Sequence, residues 1–134
     1  AALMPSLRAR LANLAARGLV KRVTNAPRFD LAAVRRAMGS RLTMPAALPW
    51  GLRVEPSREP GLPGEWLHPR EAMAGAALLF IHGGGFIAGS PRTHRSFAAW
   101  LAHRAGVAVF SLDYRLAPEH PYPAALDDCV AVLR

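Results

Sequence analysis

The chain has 134 residues, 51% of them hydrophobic, a single cysteine and a formal net charge of +8. That length allows one modest domain, and that apolar fraction excludes disorder of the bulk. The lone Cys129 excludes a disulfide framework or a multi-cysteine zinc site within the chain, and makes a reducing, cytoplasmic compartment the expectation.

Charge is concentrated at the start. Residues 1–41 hold Arg8, Arg10, Arg17, Lys21, Arg22, Arg28, Arg35, Arg36 and Arg41 against Asp30 alone, whereas residues 42–134 are balanced. The second part therefore lacks the basic footprint that a phosphate backbone needs, and no nucleic-acid partner is expected. Leu3, Leu7, Leu11 and Leu14 recur at steps of four, four and three, which is one face of a helix, with Gly18 as its stop. Asp30 is a good N-cap for a second helix through Leu31–Val34 that ends near Gly39. An Arg-rich, acid-poor start also fits a transit peptide or a membrane-surface helix. Packing on the protein itself is the commoner fate of an amphipathic helix, so no stable membrane insertion is expected.

Between Met44 and Gly64 five prolines break any helix and leave short strands at 51–55 and 65–68, read as antiparallel neighbours at a sheet edge. Ala76–Ile81 is a continuous apolar run, the pattern of a strand buried on both faces of a parallel sheet, and is far too short to span a bilayer. A helix follows from about His94 to Arg104, stopped by Gly106, with Phe97, Trp100 and Leu101 at helical spacing. Residues 107–112 make a second buried strand, and a last helix from about Pro123 places Leu126, Val130 and Leu133 on one face. Strand, helix, strand, helix indicates an α/β fold. The last helix reaches Arg134 without a C-cap signal and Ala1 stands in place of an initiator Met, so the sheet is expected to be incomplete in this chain.

The chemistry-bearing stretch is His82-Gly83-Gly84-Gly85-Phe86, at the carboxyl end of the first apolar strand. Adjacent glycines permit positive φ and let backbone N–H groups converge on a ligand. A plain turn would use the same residues. A phosphate loop would need a following Gly-Lys-Ser/Thr, and the series Gly83, Gly84, Gly85, Gly89 does not fit dinucleotide spacing. The second strand is followed by Asp113-Tyr114-Arg115-Leu116-Ala117-Pro118-Glu119-His120-Pro121-Tyr122-Pro123-Ala124-Ala125. Asp113, Arg115 and Glu119 are expected to form a charge network that fixes this loop, and Phe86, Trp100 and Tyr114 to be core or wall.

With both motifs in place, the chain resembles the hormone-sensitive-lipase-like family of α/β-hydrolases, which includes many bacterial esterases. The resemblance implies the amino-terminal part of an α/β-hydrolase fold, with a helical cap segment at 1–43 and hydrolase domain at 44–134. It implies that Gly83 and Gly84 are oxyanion-hole donors and that His82 and Gly85 position the loop, His82 holding it rather than moving a proton. No cofactor and no metal are implied. The substrate implied is a small acyl ester of short to medium chain.

The nucleophile elbow of that fold is Gly-x-Ser-x-Gly, and none of Ser6, Ser40, Ser57, Ser90, Ser96 or Ser111 sits in it. Cys129 is expected on the apolar face of the last helix, and Asp127 and Asp128 to be explained by the helix dipole. The Ser-Asp-His triad is therefore expected outside these residues. A non-catalytic small-molecule-binding protein on the same fold, or an amide or formamide hydrolase, remain as alternatives.

Overall fold

The computed structural model describes Leu7, Leu14, Arg17, Gly18, residues 29–40 and residues 47–134, which fall into two compact units divided between Val34 and Arg35. In the smaller unit Leu7 and Leu14 are helical and exposed, while Leu3 and Leu11 lie outside the described residues. Gly18, expected as a stop, is itself helical, because one glycine costs a helix only about 1 kcal/mol. Helix α1 spans Leu31–Ser40 and starts as its cap predicts, with the Ala33 N–H donating to Asp30 Oδ1 at 2.9 Å.

The larger unit is a mixed four-stranded sheet. Its strands are β1 (Arg53–Pro56), β2 (Gly64–His68), β3 (Ala77–Ile81) and β4 (Ala108–Leu112), in the order β1-β2-β4-β3. β1 pairs with β2 and β2 with β4 antiparallel, whereas β3 and β4 are parallel in the register Ala77↔Ala108 to Ile81↔Leu112. Pro56 ends an edge strand, where its missing N–H breaks no interior ladder.

Helix α2 (Pro91–Ala105) connects the parallel pair and starts three residues earlier than its apolar spacing suggests. Ser90 caps it in a reciprocal box with Thr93, Pro91 fills the first turn, and Gly106 in the left-handed region ends it. The buried face of α2 is its alanine stripe. Ala98, Ala99 and Ala102 pack on Leu67 and Val109, so small side chains let the helix approach the sheet closely. Phe97 and Trp100 are exposed instead, which corrects the expectation of Trp100 as core or wall. Glu65, buried on β2, is gripped from α2 by Arg95 through Nη2 to Oε2 at 2.6 Å and Nε to Oε1 at 3.0 Å.

The opposite face of β4 carries Phe110 and Leu112, which with Tyr114 form a second core cluster against Trp66, Leu79, Ala125 and Cys129. Cys129 belongs to α3 (Ala124–Ala131), so it joins the packed side of that helix as expected. Leu126, Val130 and Leu133 are exposed. β3 is also less buried than its sequence implies, with Leu78 39% and Ile81 47% exposed. The reason is placement. β4 has a strand on each side, whereas β3 has β4 alone among the described residues.

Candidate active site

Two loops leave the carboxyl ends of the parallel strands β3 and β4, and together they build the site. The first begins at His82. Gly84 has φ 137° and Gly85 φ 63°, and a Cβ on Gly84 would run into the Ala88 carbonyl oxygen. That position is therefore closed to every residue but glycine. The Gly84 carbonyl accepts from the N–H of Ile87 at 3.3 Å and of Ala88 at 3.1 Å, which folds the loop back on itself. Among the described residues, no hydrogen bond takes the N–H of Gly83, Gly84 or Gly85.

Phe86 sits at φ 62°, a conformation that costs a bulky residue on the order of 1–3 kcal/mol and persists only when its surroundings enforce it. The enforcement comes from the second loop, where the Ala117 N–H donates to Phe86 O at 2.8 Å.

His82 is 2% exposed and wedged in the same turn. Its ring stacks on Tyr114 at 4.2 Å between centroids and on His94 at 5.6 Å. Nδ1 lies 3.0 Å from Gly83 O, a bond in which Nδ1 carries the proton, while Nε2 is buried without a partner. The Tyr114 hydroxyl donates to His82 O at 2.7 Å. Burial pushes the imidazole below its ordinary pKa of 6.5, against the opposing pull of Gly83 O, with nearby His94 reinforcing the drop. His82 is thus neutral at pH 7.

The second loop is held by ion pairs that differ from those expected. Arg115 does not pair with Asp113 or Glu119. It forks onto Asp128 of α3, with Nη2 at 2.7 Å and Nε at 3.0 Å from Oδ1, and its backbone N–H adds a bond to Oδ2 at 2.9 Å. These bonds hold the Asp128 carboxyl below its usual range, so its role is more specific than a helix-dipole charge. Glu119 instead meets Arg35 of α1, whose Nη1 and Nη2 each lie 2.7 Å from one carboxylate oxygen. Arg35 also donates to Ile87 O at 2.8 Å and Ala117 O at 3.0 Å. The sequence gives no local signal for this contact, since Arg35 and Glu119 are 84 positions apart.

A cleft of about 560 Å³ lies between residues of the two loops and α3. Ile81 and Phe86, which bracket the glycine triplet in sequence, line it with Ala117, Tyr122, Leu126 and Cys129, so Phe86 is wall, as expected, and its surface is apolar. Three serines have structural places: Ser90 caps α2, Ser57 accepts a turn N–H, and Ser111 is buried on β4. Burial raises the Cys129 thiol pKa, which keeps it protonated and unreactive. Among the described residues no cluster of three or more His, Cys, Asp or Glu could hold a metal ion, and no helix is long and apolar enough to cross a membrane.

Residues 78–134 match a family model described as the alpha/beta hydrolase fold. The chain is 46% identical over 70 residues to an acetyl-hydrolase of Streptomyces hygroscopicus, covering 52% of this chain and 23% of that protein. It is 48% identical over 63 residues to an ethyl acetate hydrolase of Pseudomonas putida, covering 47% and 20%. Among solved structures it is similar to an esterase of the bacterial hormone-sensitive lipase family, at 38% identity and a TM-score of 0.73, over 87% of this chain and 39% of the other. The chain thus spans well under half the length of these relatives.

Proposed function

Since this chain belongs to the hormone-sensitive-lipase-like family of the α/β-hydrolase fold, we propose that the protein carrying it is a carboxylic ester hydrolase whose oxyanion hole is built from the N–H groups of Gly83 and Gly84. The observation that carries this reading is the pair of unclaimed N–H donors in a loop whose flanking residues, Ile81 and Phe86, line an apolar cleft. Acyl transfer passes through a tetrahedral intermediate whose oxygen becomes negative. Donors already fixed in place stabilise that charge without reorganising, and each is typically worth about 100- to 1,000-fold in turnover.

His82 and Gly85 act as loop-positioning residues in this scheme. A neutral ring whose one proton is committed to Gly83 O, and whose other nitrogen is buried, suits an anchor better than a general base. The nucleophile, acid and base of a Ser-Asp-His triad are supplied by residues outside these 134. The apolar cleft suits an acyl group of short to medium length. Residues 1–43 serve as a helical cap and residues 44–134 as part of the hydrolase domain, and the exposed Leu7 and Leu14 fit a cap that uses its apolar face elsewhere. The substrate is a small molecule, and the lone Cys129 fits a reducing, cytoplasmic setting.

The test pairs two preparations on p-nitrophenyl acetate and butyrate. The full-length protein should turn both over, and the 134-residue chain alone should match the buffer rate because its donors have no nucleophile to serve. Ligand binding without turnover in the full-length protein would favour a non-catalytic binder. Turnover of anilides in preference to esters would favour an amidase.

A further inference from the structure

We propose that Arg35 is a positioning residue for the glycine loop: its guanidinium ties the loop after β3 to the loop after β4 and so fixes where the Gly83 and Gly84 N–H groups point. Its catalytic consequence rests on the esterase reading above, while its geometry does not. Arg35 divides its donors among three acceptors. Nε gives to Ile87 O at 2.8 Å, Nη2 gives to Ala117 O at 3.0 Å, and Nη1 and Nη2 each reach one Glu119 oxygen at 2.7 Å.

The two-point grip on Glu119 fixes the plane of the guanidinium. Its remaining N–H groups then have one direction each, toward the two carbonyls. Ala117 closes the circuit by donating its own N–H to Phe86 O at 2.8 Å. Consecutive carbonyls, Phe86 O and Ile87 O, are thereby held from outside the loop at the one non-glycine residue with positive φ among those described. The near end of the same turn is Gly84, whose carbonyl takes the Ile87 and Ala88 N–H groups. Release of the far end leaves Phe86 in a conformation with fewer partners to enforce it. A lysine cannot substitute, because an ammonium lacks the planar fork that addresses a carboxylate and two carbonyls together.

The test uses the full-length protein, as wild type, Arg35→Ala and Arg35→Lys, with amide hydrogen exchange at Ile87 and Ala88 and kinetics on p-nitrophenyl butyrate. Both variants should exchange about tenfold faster or more at Ile87 and Ala88, whose N–H groups bond to Gly84 O, while α2 and β4 stay unchanged. Turnover should fall by about 10- to 100-fold, the scale of a slight misplacement of reacting groups, with KM nearly constant. Guanidinium ion at millimolar concentration should restore part of the Arg35→Ala rate, and methylammonium should not. Unchanged exchange at Ile87 and Ala88, or faster exchange with wild-type kcat, overturns the proposal. Should Arg35→Ala fail to fold, Arg35→Lys decides, and wild-type kcat and exchange there overturn it equally. A wild-type protein inert toward every ester would sink the esterase reading instead, leaving the exchange measurement to decide whether Arg35 clamps the loop.

Discussion

The loops after β3 and β4 lie at neighbouring strand ends and are held by different physics. The glycine loop is fixed by backbone conformation: left-handed φ at Gly85 and Phe86, a Gly84 with no room for a Cβ, and internal bonds to its carbonyl. The Asp113–Ala125 loop is fixed by charge, through Arg115 on Asp128 and Arg35 on Glu119. Steric constraints are short-ranged and indifferent to salt. Ion pairs of partly exposed groups are screened by it. Sterics thus set the shape of the glycine turn itself, whereas the charged contacts that tie it to the second loop, Arg35 on Glu119 among them, can be loosened by solvent conditions.

The largest expected effect comes from breaking the steric side. Gly84→Val should lower kcat of the full-length protein by about 100- to 1,000-fold, the loss typical of one oxyanion donor, and should also lower Tm. His82→Asn should cost much less turnover, because Asn can still hydrogen-bond near Gly83 O. Rates normalised to native circular dichroism make the comparison, and an Asn variant as dead as the Val variant would assign His82 to proton transfer.

Next in size is the link between the loops. Tyr114→Phe removes the hydroxyl that donates to His82 O and leaves a buried carbonyl short of a partner, which should destabilise the fold by about 1–3 kcal/mol in urea melts. A smaller loss should follow Asp128→Asn, which weakens the fork from Arg115. The sharpening measurement is salt. At 1 M NaCl the gap between wild type and Asp128→Asn should narrow, whereas the gap for Tyr114→Phe should not.

The smallest effects separate the two loops by pH. His82 has a folded-state pKa below 6.5, so the unfolded chain binds more protons just below that value. Its contribution to stability is complete above about pH 6.5 and is lost as pH falls through the folded value, a decline that His82→Asn should flatten. Glu119, held by Arg35, is lowered from 4.5 to about 2. Its contribution is present above pH 4.5 and fades only as pH falls toward 2, and Glu119→Gln should remove that slope alone. Thermal melts from pH 2 to 8 read both windows, and identical slopes in wild type and Glu119→Gln below pH 4.5 would mean that the pair contributes nothing to stability.

Much of the glycine side was readable from residues in a row. Apolar runs at 76–81 and 107–112, a glycine triplet between strand and helix, and caps at Asp30 and Gly106 each act within a few positions, so their chemistry survives in the linear text. The start of α2 was three residues off because its signal was the Ser90–Thr93 box and Pro91 rather than the aromatic spacing. That spacing marked the helix correctly and its buried face wrongly, since the sheet accepts the alanines and leaves Phe97 and Trp100 outside.

By itself, then, the sequence determined what depends on local sterics and on hydrophobic period: strand, helix and turn order, the α/β class, and a loop that only glycine can form. Tertiary structure alone decided which apolar strand is covered on both sides and which carboxylate meets which arginine. Burial of β3 depends on its neighbours in the sheet, and two mostly apolar strands do not record which of them has a neighbour on each side among the described residues. The partners Arg35 and Glu119 stand 84 residues apart, a pairing that no local spacing encodes. An ion pair needs only that the folded backbone bring its ends within about 3 Å, and charge carries no record of sequence distance.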